Sequence, residues 1–326
     1  MNPLLFSDDQ IRDSLTATNA LAWIEEALQR RADRELQSPP RLNAEFPDGR
    51  MVFTVGSSGS DWYGYRAYDT VDTTAGQQVV VAHDRHSGDV IGIAVGNELG
   101  PRRTGAIGGV AAKHLTGGAV RSVGIIGTGQ QAWTQLWALS GFATPETVRV
   151  YSRTPESREA FAARIKDSLG LSAEAVADAR TAVDDADLVI LATNSSVPVI
   201  ETEWLRDDVV VTTLGPKQVG RAEFPSDLVT EADFVVTDSP AQLASYDPPT
   251  LVADSASAMT DLADVVAGAV SVPMLGRGSS AQSVWPAPRC ICSDASRPAE
   301  RSRSDLGSCM TATATSAQAK RQELLR

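Results

Sequence analysis

The stretch RSVGIIGTGQQAWTQLWAL, residues 121–139, decides how this chain folds. It reads as an apolar strand, a glycine turn and a helix. The turn has the form G-x-G-x-x-A: Gly127, Thr128, Gly129, Gln130, Gln131, Ala132. Gly127 permits the tight turn. Gly129 has no Cβ, so a pyrophosphate can approach its backbone, and Ala132 lets the helix lie close to the strand. The helix start offers backbone N–H groups and the positive end of its dipole to phosphate oxygens. Thr128, Gln130 and Gln131 belong to the same set of expected cofactor contacts. G-x-G-x-x-A alone is a weak signal, with a tight turn in some other α/β fold as its alternative. Its context strengthens it: a strand precedes it, a helix follows, and a second strand begins about 20 residues on.

Outward from the turn, VRVYSR (148–153) is that second strand and PESREAFAARIKDSL (155–169) a second helix. DLVILAT (187–193), DVVVTTLG (208–215) and DFVVTD (233–238) are further apolar strands. Continuous β-branched runs joined by helices imply a parallel sheet covered on both faces, hence a doubly wound (Rossmann) α/β domain over 119–270. The helical run at 261–270 is expected to lead back to the first domain. An NAD site usually ends its second strand in Asp or Glu, which bonds the ribose 2′-hydroxyl. Here Ser152, Arg153 and Thr154 follow Tyr151, a hydroxyl and an arginine suited to a 2′-phosphate. NADP(H) is therefore the expected cofactor and NAD(H) the alternative; Arg153 can also be a solvated charge. Thr193 and Asn194, at a strand's carboxyl end, are expected cofactor contacts by position.

Residues 1–118 read differently. Ser7 and Gln10 form a capping box, and the helix they open is expected to carry Leu21, Ile24 and Leu28 on one face. After Pro39 and Pro40 come strand runs at 51–55, 62–68, 78–83 and 90–95, then the small-residue helix RTGAIGGVAAKHL (103–115), suited to close packing. This half is expected to be a strand-rich α+β domain for substrate binding and dimerisation.

Composition narrows the function. The chain has 326 residues, enough for two domains, and a net charge of −12, which disfavours nucleic acid and anionic membranes as partners. MNPLLFSDDQ lacks the basic start and apolar run of a signal peptide, and no run is long enough to span a bilayer, so the cytoplasm is the expected compartment. Cys290, Cys292 and Cys309 all lie after 277, so disulfides play no part in the body of the fold. His83-Asp84-Arg85-His86 before Ser87-Gly88 reads as a hairpin turn rather than a metal pair, and no metal is expected. Trp133 and Trp137, four apart on a helix, read as core.

With these landmarks in place, the chain resembles the ornithine cyclodeaminase/mu-crystallin family over about residues 1–277. The resemblance rests on Pro39-Pro40-Arg41, Gly64-Tyr65-Arg66, Arg103-Thr104, the VGIIGTGQQA turn, LATNSSVPVI (191–200) and LGPKQVGRAEF (214–224). It implies NAD(P)(H) chemistry at the carbon–nitrogen bond of a small amino or imino acid, and a homodimer. Family members include cyclodeaminases, alanine dehydrogenases, ketimine reductases and pyrroline-carboxylate reductases. By the same resemblance Arg41 and Arg103 hold the substrate carboxylate, a task to which a bidentate guanidinium is suited. Gly215 and Arg221 fall to the cofactor. Arg66 stands where most members carry a lysine near the reacting carbon, and Lys217 where they carry an aspartate.

These departures bear on the reaction. A lysine at 217 repels a substrate amine that an aspartate would steer, and Arg66 cannot serve as a base. Lys217 can donate a proton. Hydride transfer to an imine or 2-oxo acid therefore ranks first, with Arg66, Lys217 and Arg103 as catalytic candidates and Arg41, Arg66 and Arg103 as substrate contacts. Ornithine cyclisation to proline and ammonia, or a non-catalytic crystallin-like binder, are the alternatives. A structural ion pair is the other reading of Arg66 and Lys217.

The family's closing motif, approximately Phe-x-Ser-Val-Gly-Leu-Ala, does not occur in the chain. Codons for 279–293 read one base out of step can give Phe-Cys-Ser-Val-Gly-Leu-Ala-Gly-Thr-Glu-Val-Tyr-Leu-Leu. We therefore expect a frame change near 277–280 and a disordered tail after it, with Cys290 and Cys292 as its by-products. Sequencing the gene across this region tests it.

Overall fold

The computed structural model describes residues 2–38, 42–71, 76–243, 248–252, 259–272 and 283–286. Pro39, Pro40, Arg41, the three cysteines and the segment 277–280 lie outside them. The chain divides into two compact units, at 103/104, inside the small-residue helix. No helix among the described residues is long and apolar enough to cross a membrane.

The first unit begins with β1 (Leu4–Phe6), α1 (Asp8–Ser14) and α2 (Ala17–Ala32). The Ser7–Gln10 capping box is present, but it opens only α1; Thr16 caps α2, whose buried face carries Leu21, Ile24 and Leu28. The single helix expected from the sequence is thus two, because Thr16 supplies a new cap to the Asn19 N–H. Next come β2 (Leu36–Gln37), β3 (Leu42–Phe46), β4 (Gly49–Ser58), β5 (Trp62–Asp69), β6 (Gln78–Asp84), β7 (Val90–Gly96) and the start of α3 (Leu99–Leu115), which belongs to the second unit from Thr104 onward. The strands form one seven-stranded sheet in the order β1-β7-β6-β5-β4-β2, with β3 also on β4. All its pairs are antiparallel except β1 with β7. In β5 alternate residues are buried, which puts Trp62, Gly64, Arg66 and Tyr68 on one face. The β6–β7 connection is the expected hairpin: the Asp84 carboxylate accepts from the His86 and Ser87 N–H groups, each at 2.8 Å, and Gly88 has φ +76°. His83 stacks on Tyr63, ring centroids 4.8 Å apart.

The second unit alternates strand and helix: β8 (Ser122–Ile126), α4 (Gln130–Leu139), β9 (Thr147–Tyr151), α5 (Pro155–Leu169), β10 (Ala173–Ala175), α6 (Ala179–Val183), β11 (Leu188–Leu191) and β12 (Val210–Thr213). A small hairpin of β13 (Lys217–Gln218) and β14 (Arg221–Ala222) follows. Then come α7 (Asp227–Thr230), β15 (Phe234–Thr237), α8 (Pro240–Leu243), β16 (Thr260–Asp261), α9 (Leu262–Val266) and β17 (Ser283–Pro286). The eight-stranded sheet runs β10-β9-β8-β11-β12-β17-β15-β16, every pair parallel. Its central strands β11 and β12 are buried at every residue, as their unbroken β-branched runs require. Trp133 and Trp137 are core residues, Trp133 edge-on to Phe161.

Two expectations change here. The helix expected over 261–270 is only α9, Leu262–Val266, and the next described element is β17, in the same sheet. That sheet therefore extends beyond residue 270, and Ser283–Pro286 has a place in it. Val284 and Trp285 favour strands, and β12 and β15 each present an edge that this strand pairs.

The entry to β8 is tied by a half-buried carboxylate. Asp187 accepts from the N–H groups of Arg121 and Ser122 at 2.8 and 2.9 Å, and pairs with Arg206 at 2.9 Å. Burial pushes this carboxyl up, but the two backbone bonds and the Arg206 charge outweigh it and hold it below its ordinary value. A depressed carboxyl stabilises the fold above its unfolded pKa and loses that effect as pH falls through the folded one. Asp187→Asn should therefore cost about 1–3 kcal/mol at neutral pH. The gap from the native chain should narrow as pH drops below about 4. Urea unfolding at several pH values reads this, and a gap independent of pH would count against it.

Candidate dinucleotide-binding site

The glycine turn lies where β8 has β9 on one side and β11 on the other, the point at which the sheet order reverses. Clefts open at such points, at the carboxyl ends of the strands. Gly127 has φ +111°, and a Cβ on it would overlap the carbonyl oxygen of Ala192. Its N–H donates to Tyr151 O at 2.9 Å, while the Ala192 N–H donates to Ile126 O at 2.9 Å. The ends of β8, β9 and β11 are thus held together around one residue that only glycine can supply. Gly129 is exposed and caps α4 without a side-chain bond, and a Cβ on it would meet nothing within 4 Å. Ala132 is wholly buried, Gln130 exposed, and Thr128 and Gln131 half-buried. The turn's backbone is open to a phosphate-sized anion at the positive end of a ten-residue helix.

At the end of β9, the Ser152 hydroxyl donates to Thr154 O at 3.0 Å and Arg158 donates to Ser152 O at 2.9 Å. The Arg158 guanidinium also lies over the Tyr151 ring, 5.6 Å from its centroid. Thr154 caps α5, with Pro155 in its first turn. Arg153 is exposed and has no hydrogen bond or ion pair with any described residue.

At the ends of β11 and β12 the structure shows a group that sequence reading misses. Glu223, 0% exposed, accepts from the Thr193 N–H at 2.7 Å, the Thr193 hydroxyl at 2.8 Å and the Leu214 N–H at 3.1 Å, and also from the Gly215 N–H. A Cβ on Gly215 would overlap that carboxylate. Glu223 follows β14 and its own N–H donates to Pro216 O at 2.9 Å, closing the hairpin. Nothing in LGPKQVGRAEF marks it out, since a lone glutamate in a loop reads as solvated. Asn194 is exposed at the same edge.

The same hairpin carries Lys217 and Arg221. Lys217 is buried, 2% exposed, and its carbonyl accepts from the Leu251 N–H at 2.8 Å; Arg221 is half-buried. In the first unit Arg66 is buried in the middle of the sheet, between Thr54 and Val80, with its guanidinium 4.3 Å from the Tyr68 ring centroid. Arg103 is half-buried near the start of α3, after Arg102, which is engaged with Glu98 at 2.9 Å.

A doubly wound parallel sheet with an open G-x-G-x-x-A turn at its switch point defines a dinucleotide-binding α/β protein. The chain belongs to the ornithine cyclodeaminase/mu-crystallin family, whose profile matches residues 2–283. It is 29% identical over 245 residues to a Delta(1)-pyrroline-2-carboxylate reductase of Bacillus cereus, covering 72% of this chain and 75% of the relative. Two solved structures share the fold. The Thermococcus litoralis Delta(1)-pyrroline-2-carboxylate reductase in complex with NADH and L-proline is 22% identical, with a TM-score of 0.75, covering 87% of this chain and 91% of that one. The iminosuccinate reductase of Paracoccus denitrificans in complex with NAD+ is 24% identical, with a TM-score of 0.76, covering 88% and 91%.

Proposed function

We propose that this chain reduces the C=N bond of a small imino acid, either a cyclic ketimine or the imine of a 2-oxo acid and ammonia. It is a nicotinamide-dependent oxidoreductase of its family, and the observation that carries the reading is the open glycine turn at the switch point of its sheet. Such a reduction would take a hydride at the imine carbon from the bound reduced nicotinamide, with the C=N π pair passing to nitrogen and nitrogen taking a proton. The products are the amine and the oxidised cofactor. Arg41 and Arg103 hold the carboxylate, Arg66 faces the substrate, and Lys217 or a bound water supplies the proton. The turn of Gly127, Thr128, Gly129, Gln130, Gln131 and Ala132 would hold the cofactor's pyrophosphate, with Ala132 keeping the helix close to the strand, and Thr193, Asn194, Gly215 and Arg221 would hold its nicotinamide side. The first unit serves substrate binding and pairing into a homodimer, and the protein works in the cytoplasm.

NADP(H) is the favoured cofactor because Arg153 is free beside Ser152 and Thr154. Arg153→Ala should weaken NADPH binding by about 1.5–3 kcal/mol, roughly 10- to 150-fold, and leave NADH nearly unchanged. Equal loss for both cofactors would remove the assignment. The function itself is tested by following NAD(P)H oxidation with pyrroline-2-carboxylate and with pyruvate plus ammonia. Turnover of either is expected. Conversion of ornithine to proline and ammonia would make the chain a cyclodeaminase instead, and tight dinucleotide binding with no turnover would make it a binder.

A further inference from the structure

We infer that Glu223 is a positioning residue: a buried clamp that sets the spacing of the loops after β11 and β12, on which the nicotinamide half of the cofactor lies. The inference rests on the dinucleotide reading above. In a doubly wound sheet the pyrophosphate sits at the β8 turn and the adenosine ribose at the end of β9. The other half of the dinucleotide must then cross the ends of β11 and β12. The Leu214 N–H donates to Leu191 O at 2.8 Å, directly past the paired residues of these two strands. Beyond that bond the Glu223 carboxylate joins them. Oε2 takes both donors of Thr193, and Oε1 takes the N–H groups of Leu214 and Gly215.

The match is chemical as well as geometric. An ionised carboxylate has acceptors only, and these four groups that face it all donate. An amide of the same shape has one oxygen and one NH2. Glutamine at 223 would therefore leave one strand end facing a donor with a donor. Gly215 must stay glycine for the same arrangement, since any side chain there would displace the carboxylate. The Thr193 hydroxyl is also fixed, because it accepts from the Ser195 N–H at 3.1 Å while donating to Glu223.

The test separates the two halves of the cofactor. Native protein and Glu223→Gln are titrated with NADH, NADPH and ADP-ribose, which lacks the nicotinamide half, and kcat is measured with the best substrate. The expected result is about tenfold or greater loss of affinity for the reduced cofactor, a lowered kcat, and an unchanged Kd for ADP-ribose. A residue with only a structural role would lower the melting temperature and leave the Kd values and kcat of the folded fraction as they were; that result overturns the inference. Should the glutamine variant fail to fold, Glu223→Asp keeps the charge but is one methylene shorter, and reads the same split. If the native protein binds neither NAD(P)H nor ADP-ribose, the dinucleotide reading falls and this inference with it. If the native protein binds both and the variant matches it, only the inference falls.

Discussion

Gly127→Val will remove dinucleotide binding. At φ +111° an L side chain is strained by roughly 1–3 kcal/mol before any neighbour is considered. Its Cβ would also overlap the Ala192 carbonyl oxygen, which belongs to rigid backbone. The loops after β8 and β11 would have to part, and the bonds from Gly127 to Tyr151 and from Ala192 to Ile126 would go with them. Each broken bond adds about 1 kcal/mol; the variant's turn relaxes to avoid these costs, and a cofactor that needs the native turn must restore it on binding, so a loss of affinity of about 10²–10³-fold is expected. Nicotinamide fluorescence titration measures it. Gly129→Val is the informative partner. Its φ of −80° suits any residue and a Cβ there meets nothing, so its melting temperature should stay native. It should nevertheless lose the cofactor, because the isopropyl group fills the phosphate's approach. Native affinity in Gly129→Val would show that the turn is structural only.

The second large effect is on folding. In α3, a Cβ on Gly105 would overlap the Thr134 carbonyl of α4, and one on Gly108 would overlap the Gln135 side-chain amide. The two helices touch nearly backbone to backbone, as the small-residue run at 103–115 implies. Ala106, Val110 and Ala111 in the same helix are wholly buried, and Gln135 donates to Thr104 O at 3.1 Å. Glycine costs a helix about 1 kcal/mol relative to alanine, so its presence here reflects close approach rather than helix preference. Gly105→Val should destabilise the second unit by about 3 kcal/mol or more, because backbone cannot yield. Gly108→Ala should be milder, since an amide tip can swing away. Thermal unfolding ranks the two, and the reverse order would contradict this packing.

What the sequence discloses and what it hides divide along physical lines. β8, β9, β11, β12 and β15 are plain because buried parallel strands read as unbroken apolar runs. The Gly127 turn is plain because backbone at positive φ admits few residues. β1, β2, β3 and β10 escape notice, being short edge or flanking strands with too few residues to show a period. β17 escapes for another reason: Ser-Val-Trp-Pro is four residues among serines and prolines, and only the edges of β12 and β15 call it into the sheet. In the site, the phosphate turn and the free Arg153 follow from local pattern. Glu223 does not, since its meaning lies in four donors brought to it by strands that are remote in sequence from one another.

The position of β17 has a consequence for the order of assembly. It pairs Val210–Thr213 on one side and Phe234–Val235 on the other, yet it follows every other described strand in the chain. As the polypeptide leaves the ribosome, those strands of the dinucleotide sheet emerge before the one that joins its halves. Until then β15 and β16 have no hydrogen-bonded link to β12, and two sheet edges stand open to foreign strands. Translation that slows or stops between residues 238 and 283 would therefore hold the chain at the stage where these two edges are open to aggregation.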